Sequence, residues 1–238
     1  YNRNFYHKFG IINNNTMEQS VKILEKQNLT HDVLRIVAEK PADLFYHPGQ
    51  AVDISLNKAG WEKELRAFTF TSLPSDQFIE FTIKTYPDHN GVTNELLSSK
   101  TGDSLIIHDV FGDIAYKGEG LFIAGGAGVT PFIAILKQLE KEKKIGNNKL
   151  IFANKTKSDI ILESSFQSLL EKNFINVLSN ENLDGYEHGF ISAEMIQKYQ
   201  ENSLGFYYLC GPPPMMDAVE KHLAVLKVSD EKIVKEAF

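Results

Sequence analysis

The glycine-rich stretch from Leu121 to Phe132 is the part of the sequence best suited to holding a ligand. It reads LFIAGGAGVTPF, an apolar run, a glycine turn and a proline. Glycines such as Gly126 and Gly128 bring the backbone close to a ligand, and a helix start attracts anions. We expect Thr130 to cap the helix and Pro131 to be its first residue. No lysine follows the glycines, so a dinucleotide pyrophosphate fits better than a triphosphate with magnesium. A plain strand-to-helix turn is the alternative.

Two stretches in the first half of the chain could also bind a ligand. Residues 66–72 read RAFTFTS and combine an arginine, alternating aromatics and hydroxyls. Taken alone, this stretch could be an edge strand with Arg66 in solvent and the phenylalanines in the core. Residues 91–94 read GVTN and head a short predicted helix, which makes them a possible phosphate site or an ordinary helix cap.

The second half of the chain carries a thiol and ends on an aromatic residue. Cys210 begins the run CGPPPMM, where a predicted strand ends and a helix begins. Ligands bind at this carboxyl edge of a parallel sheet, although a lone cysteine is often a small buried hydrophobe. The chain closes with Glu236, Ala237 and Phe238, for which a frayed terminus is the alternative.

The composition excludes several classes of protein. A formal net charge of -6 argues against a nucleic-acid partner, and no apolar run approaches the ~20 residues that cross a bilayer. Cys210 is the only cysteine, which excludes an intrachain disulfide and a cysteine-ligated iron–sulfur cluster within this chain. The seven histidines are scattered, and we predict no metal site. The first residues lack a signal-peptide pattern, so we expect a cytoplasmic location.

The pattern of apolar residues changes once along the chain, and the change places the motifs on two kinds of sheet. Up to His108 the apolar residues mostly alternate between turn signals, which predicts an antiparallel barrel of six strands with one helix at about 94–99. From Gly120 onward strands and helices alternate, which predicts a Rossmann-like α/β domain with a parallel five-stranded sheet. We expect an extension outside the core at 1–16, a barrel domain at 17–117 and a nucleotide domain at 118–238.

Taken together and in this order, these motifs resemble those of the ferredoxin–NADP(+) reductase superfamily over about residues 17 to 238. Members pair a flavin-binding barrel with a nicotinamide-dinucleotide domain. The resemblance implies a flavoprotein reductase that uses FAD and NADH or NADPH and passes electrons to a ferredoxin, a flavodoxin or an oxygenase component. A reductase of free flavin or small acceptors, and a non-catalytic electron-transfer subunit of a larger complex, are the alternatives.

The resemblance also assigns residues to the flavin. Arg66 would pair with a flavin phosphate, Phe68 would lie against the isoalloxazine, and Thr69 would hydrogen-bond the reactive ring nitrogen. Phenylalanine stands where the family has tyrosine, so one hydroxyl is lost. The family's segment near the adenine corresponds to Lys84 through Tyr86. Its pyrophosphate-binding helix start corresponds to Gly91, Val92 and Thr93, and both segments suit FAD better than FMN.

On the nicotinamide side, the resemblance gives the pyrophosphate loop to Gly126, Gly128, Thr130 and Pro131. It places Cys210, Gly211 and Pro212 beside the nicotinamide. Glu236 would pass a proton to or from the flavin. Phe238 would cover the flavin face that the nicotinamide must occupy, and would therefore have to move.

The loops after the second and third strands of the nucleotide domain are where this fold selects its dinucleotide. They contain Asn154 and Lys155, and Ser179 and Asn180. Lys155 and Lys157 could meet a 2′-phosphate, but the Ser-Arg pair of many NADPH-dependent relatives is Ser179-Asn180 here, and Glu181 would repel that phosphate. These residues favour NADH.

Overall fold

Alternation of apolar residues produces an antiparallel six-stranded sheet in the first half of the chain. The structure is a computed structural model that describes residues 18–86, 91–200 and 205–235. The strand order is β4-β3-β6-β1-β2-β5. The elements are β1 (Gln19–Asn28), β2 (Val33–Glu39), β3 (Ala51–Leu56), β4 (Arg66–Thr69), β5 (Phe78–Lys84), α1 (Val92–Ser98) and β6 (Ser104–Phe111).

The two edge strands of this sheet meet and close it into a barrel. Phe70, directly after β4, forms a bridge with Phe81 of β5. The Thr71 amide then donates to the Glu80 carbonyl oxygen at 2.7 Å. Inside the barrel the Tyr46 ring stacks on Phe70, with ring centroids 3.9 Å apart. Closure removes exposed sheet edges and fixes where β4 ends, and β4 carries the predicted flavin residues.

The second half forms a parallel sheet in the order β10-β9-β8-β7-β11-β12. Its strands are β7 (Gly120–Gly125), β8 (Lys149–Asn154), β9 (Phe174–Leu178), β10 (Glu187–His188), β11 (Phe206–Cys210) and β12 (Ile233–Lys235). Its helices are α2 (Thr130–Lys141), α3 (Glu163–Leu170), α4 (Ala193–Tyr199) and α5 (Pro213–Val225). The sequence predicted five strands and the structure has six, because β10 has two residues and is too short to show a periodic pattern.

The cores of the two sheets are in contact. Val33 of the barrel packs in the same buried cluster as Phe122 of β7 and Phe132 of α2. Gly49 of the barrel half lies so close to helix α2 that a Cβ there would stand 3.3 Å from Cδ1 of Ile135. At residues 117–118, the Tyr208 hydroxyl accepts from the Lys117 amide at 2.9 Å and donates to the Gly118 carbonyl oxygen at 2.7 Å. The predicted domain boundary at this point stays a prediction.

The length and polarity of each helix decide whether it could span a membrane. Within residues 18–86, 91–200 and 205–235, no helix is both long and apolar enough to cross a bilayer.

Candidate active site

The glycine turn lies where strand β7 ends, at the carboxyl edge of the parallel sheet. Gly126 to Val129 form a 3-10 turn, and Gly126 has a φ of 52°. A Cβ on Gly126 would meet nothing within 4 Å, so this backbone faces open space. A Cβ on Gly128 would stand 2.3 Å from the Cys210 carbonyl oxygen. The turn therefore offers an uncovered backbone on one side and packs tightly against β11 on the other.

The start of helix α2 differs from the sequence prediction. Thr130 is the first helical residue and Pro131 the second, and Val129 is the N-cap. The Thr130 hydroxyl donates backwards to the Ala127 carbonyl oxygen at 3.0 Å. The prediction that Thr130 caps the helix is wrong, because residues 126–129 form a 3-10 turn that continues directly into the helix and leaves Thr130 inside it.

Cys210 lies next to this turn, on the neighbouring strand. Strand β11 runs parallel to β7 with Cys210 opposite Ala124, and the Cys210 side chain is buried. A Cβ on Gly211 would stand 2.4 Å from Met215 and 3.2 Å from the Gly125 amide nitrogen. A Cβ on Gly125 would stand 3.0 Å from Pro212. The structure thus brings together the glycine turn and residues 210–212, as a dinucleotide loop and its nicotinamide end require.

The two predicted selectivity loops are bonded to each other. The Ser179 amide donates to the Asn154 carbonyl oxygen at 3.0 Å, and the Asn180 amide to the Lys155 carbonyl oxygen at 2.9 Å. The Asn154 side chain is 9% exposed, and within the described residues its Nδ2 has no hydrogen-bond partner. A buried amide without a partner is costly to stability. The fit to a dinucleotide rests instead on the open backbone at Gly126 beside residues 210–212, with both selectivity loops at the same edge of the sheet.

Two charged side chains beside these loops, Glu181 and Lys157, are held by a hydrogen bond and by a ring contact. Glu181 accepts the Lys157 amide at 2.7 Å on its Oε2 atom. The Lys157 ammonium lies 5.4 Å from the centroid of the Tyr186 ring, and bonding to Tyr186 raises the pKa of Lys157. The Lys157 charge is therefore directed to Tyr186, while a fixed carboxylate follows Asn180.

The predicted flavin residues occupy strand β4, at the seam where the barrel closes. Thr69 pairs with Ala51 and Phe68 with Val52 across β3. Phe68 and Thr69 are half-buried, and Arg66 is exposed with its Nη1 donating to the Leu65 carbonyl oxygen at 2.7 Å. A planar ring could lie against Phe68 while Arg66 reaches a phosphate, so these residues fit a flavin.

The residues predicted to lie near the adenine and the flavin pyrophosphate differ in how far a ligand could reach their side chains. Lys84 pairs with Asp32 at 2.7 Å, and the Tyr86 side chain is exposed. Helix α1 begins at Val92 with Gly91 as its N-cap. The Val92 side chain is buried in the barrel core, so only its backbone could reach a phosphate, whereas Thr93 is half-buried. Glu236 and Phe238 lie outside the described residues, and their roles stay predictions.

Two clusters of charged residues were missed by sequence reasoning. Arg35 of β2, Glu80 of β5 and Lys137 of α2 form ion pairs where the barrel meets the nucleotide half. The sequence feature that could have indicated this cluster is a glutamate within the largely apolar strand FIEFTIK. His31, Asp32 and Asp159 could together hold a metal ion; His31 and Asp32 are neighbours in the sequence, and Asp159 is distant from them. The ammonium of Lys84 pairs with Asp32 and so offsets one of the two carboxylate charges at this second cluster.

An antiparallel barrel beside a parallel nucleotide sheet, with a glycine turn at the sheet's carboxyl edge, defines the class: the chain is an NAD(P)H-dependent flavoprotein reductase. The family model described as a FAD-binding domain matches residues 18–159, more than half of the chain. The one described as an oxidoreductase NAD-binding domain matches residues 122–221. The chain belongs to the ferredoxin–NADP(+) reductase superfamily, and the expected FAD and nicotinamide dinucleotide cofactors are confirmed.

Known proteins resemble the chain over most of its length. NADH-cytochrome b5 reductase 1 of Aspergillus terreus is 30% identical over 227 residues, covering 85% of this chain and 76% of that protein. The CS-b5R domains of human Ncb5or in the NAD+ form are 25% identical with a TM-score of 0.82, over 94% of this chain and 71% of that one. A ferredoxin NADP+ reductase from Neisseria gonorrhoeae with bound FAD and NADP shares the fold, with a TM-score of 0.81 at 17% identity over 93% of this chain and 99% of that one.

Proposed function

We propose that this chain transfers hydride from NADH to FAD and passes the electrons to a small haem protein of the cytochrome b5 type. The acceptor follows from the relatives named NADH-cytochrome b5 reductase, which are up to 30% identical to this chain. A ferredoxin, a flavodoxin or an oxygenase component are the other protein acceptors that the sequence motifs suggest. The cytoplasmic location belongs to the same proposal, and fractionation of the source cells tests it.

One observation carries the proposal: the glycine turn of the nucleotide sheet lies beside strand β5 of the barrel. Strand β5 is bonded through Phe81 and Glu80 to residues 70–71, which continue the predicted flavin strand β4. A dinucleotide on the turn and a flavin on β4 would therefore be neighbours. Hydride transfer requires that proximity, with reacting atoms roughly 3 to 3.5 Å apart.

The proposed roles of the side chains follow from their positions. FAD supplies the chemistry, since it takes up two electrons from NADH and can release them one at a time. Thr69 would hold the reactive nitrogen of the flavin, and Cys210 would position the nicotinamide without a covalent bond. Glu236 would carry a proton, and Phe238 would cover the flavin until NADH displaces it.

A visible spectrum tests the proposal most directly. We expect purified protein to carry bound flavin that bleaches anaerobically on addition of NADH and regains colour when oxidised cytochrome b5 is added. Colourless protein that cannot be reconstituted with FAD would rule the proposal out. Flavin that is lost on gel filtration would favour a reductase of free flavin. Bound flavin that NADH does not bleach would favour a non-catalytic electron-transfer subunit.

The choice of NADH over NADPH is tested by Glu181→Gln. Glutamine keeps an acceptor for the Lys157 amide but removes the charge, so the loop should keep its conformation. Because a like charge no longer opposes the 2′-phosphate, we expect the NADPH/NADH ratio of kcat/KM to rise about tenfold, which corresponds to ~1.4 kcal/mol. Glu163→Gln, a neighbouring carboxylate that accepts from the Tyr186 hydroxyl, is the control. An unchanged ratio in Glu181→Gln would assign the selection to other residues.

A further inference from the structure

A buried carboxylate connects the barrel to helix α2. Glu80 of β5 accepts from Arg35 Nε at 2.7 Å and from Lys137 Nζ at 2.9 Å. Burial alone would raise the pKa of Glu80, but the charges of Lys137 and Arg35 outweigh burial and hold the pKa below its ordinary value. Glu80 is therefore ionised at neutral pH, and it presents a fixed negative charge to the nucleotide domain.

Lys137 also binds the strand that continues from the predicted flavin residues. Its Nζ donates to the Thr71 carbonyl oxygen at 2.8 Å. Thr71 in turn donates through its hydroxyl to Glu80 Oε1 at 3.0 Å and stands two residues after Thr69. One ammonium thus fixes both the carboxylate and the end of the flavin strand.

At its other end, the same helix carries the dinucleotide turn. Helix α2 begins at Thr130 directly after the glycine turn, and Lys137 stands about two helical turns further on. The helix is buried along most of its length and behaves as a rigid rod over this distance. A displacement of Lys137 relative to Thr71 would therefore move the glycine turn relative to β4.

We propose that Lys137 is a positioning residue for hydride transfer. Its bonds to Glu80 and to the Thr71 carbonyl oxygen set the distance between the dinucleotide turn and the flavin strand. This inference rests on the proposed hydride transfer from NADH to FAD. Since a misplacement of about 1 Å can cost roughly 100-fold in rate, a single tie between the domains can control that rate.

The chain offers a matched control one turn further along the same helix. Lys141 Nζ donates to the Ser75 hydroxyl at 2.6 Å, so it too reaches the 71–76 segment. Both partners of that bond are exposed or half-exposed and neither contacts Glu80, so the bond should contribute little. Lys141→Met removes a lysine from the same face without breaking the tie to Glu80.

The experiment compares the FAD-loaded protein with Lys137→Met, Lys137→Arg, Lys141→Met and the double variant Glu80→Gln/Lys137→Met by anaerobic stopped flow with NADH. We expect the limiting rate of flavin bleaching to fall about tenfold or more in Lys137→Met, while flavin content and the half-saturating NADH concentration change less than about twofold. Lys137→Arg should recover most of the rate, because its guanidinium can still reach both oxygens. Glu80→Gln combined with Lys137→Met should be no slower than Lys137→Met alone.

Three results would overturn the inference. Lys137→Met could bleach as fast as the unmodified protein, or Lys141→Met could lose as much rate as Lys137→Met. Alternatively, Lys137→Met could lose bound flavin in proportion to its rate while the flavin that remains bleaches at the unmodified rate, which would make the role purely structural. Unmodified protein that holds FAD but is not bleached by NADH would instead overturn the proposed function, and this inference with it.

Discussion

Gly126 and Gly128 are glycines for two different physical reasons. Gly126 has a φ of 52° and open space where a Cβ would be, so its conformation and not its packing requires glycine. Gly128 has no positive φ, but a Cβ there would overlap the Cys210 carbonyl oxygen. The first glycine therefore serves the ligand side of the turn, and the second serves the packing of β7 against β11.

Alanine substitutions separate these two reasons. Gly128→Ala should lower the free energy of unfolding by about 1–3 kcal/mol, because two backbone segments must move apart. Gly126→Ala should cost only about 1 kcal/mol of stability but should weaken NADH binding, since the new methyl enters the open space. Chemical denaturation and NADH titration measure the two effects. The reverse pattern, with NADH binding lost only in Gly128→Ala, would contradict this interpretation of the turn.

Residue types identified the turn but not its detailed geometry. The glycines, Cys210 and Asn154 are adjacent because parallel strands end at one edge, which the strand pattern predicts. The 3-10 turn that displaces Thr130 from the cap depends on contact with Cys210 and Gly211, residues about 80 positions away in the sequence. Contacts of that kind leave no local signal. For the Glu80 cluster, the glutamate in β5 was a local signal, but its partners Arg35 and Lys137 stand 45 and 57 residues away.

Glu80 gives the protein a characteristic acid sensitivity. Its pKa is lower in the folded protein than the ordinary 4.5, so the folded state binds fewer protons than the unfolded state in this range. Its contribution is complete above about pH 4.5 and is lost as the pH falls through the lower folded value. Glu80→Gln should therefore reduce stability by about 2 kcal/mol at neutral pH, and the two stability curves should converge in acid. A stability difference between Glu80→Gln and the unmodified protein that stays constant down to the lowest pH would contradict the lowered pKa of Glu80.

At the scale of elements, the C-terminal end of helix α1 is bonded by a lysine of strand β1. Lys26 of β1 donates to the carbonyl oxygens of Leu96, Leu97 and Ser99, each at 2.8 Å. These carbonyls end the helix, and a cation there complements the helix dipole. A seven-residue helix is marginal by itself, so Lys26 and the buried Val92 and Leu96 together hold α1 against the barrel.

This arrangement predicts a defect that discriminates between flavins. If α1 holds the FAD pyrophosphate, Lys26→Met should weaken FAD binding by about threefold to tenfold and leave riboflavin 5′-phosphate binding nearly unchanged. Fluorescence titration of the flavin-free protein measures both affinities. Lys22→Met, on the same strand with an exposed side chain, is the control. An equal loss of affinity for both flavins would show that the adenine half of FAD, which riboflavin 5′-phosphate lacks, lies away from α1.

The elements themselves followed closely from the sequence. The periodicity predicts strands at 149–153, 174–178 and 206–210 and a helix at 213–226, and β8, β9, β11 and α5 begin and end within about a residue of these ranges. Helix α1 begins two residues earlier than expected, at Val92, because Val92 and Leu96 together bury one face in the barrel. Strand β10 was not predicted, since it exists only through pairing with β9. Local patterns therefore fix the long elements, and tertiary pairing decides the short ones.

At the scale of the whole molecule, the two sheets are packed as one unit. Val33 contributes to the core of the nucleotide half, a Cβ on Gly49 would stand 3.3 Å from Ile135 of α2, and Lys137 crosses to Glu80. Each half would expose apolar surface or a buried charge without the other, which disfavours a state in which only one half is folded. The bonds from Lys137 to Glu80 and Thr71, which we propose to set the geometry of hydride transfer, thus also couple the two halves.

Two probes that occur once each in the sequence can test this coupling. Trp61 is the only tryptophan and lies in the barrel, while Cys210 is the only cysteine and is buried in the nucleotide half. We expect the urea midpoint from Trp61 fluorescence to coincide with the midpoint from pulsed thiol labelling of Cys210, as cooperative unfolding requires. Lys137→Met should lower both midpoints together, because the remaining apolar contacts still join the sheets. Labelling of Cys210 at urea concentrations where Trp61 fluorescence is still native would show instead that the nucleotide half opens independently.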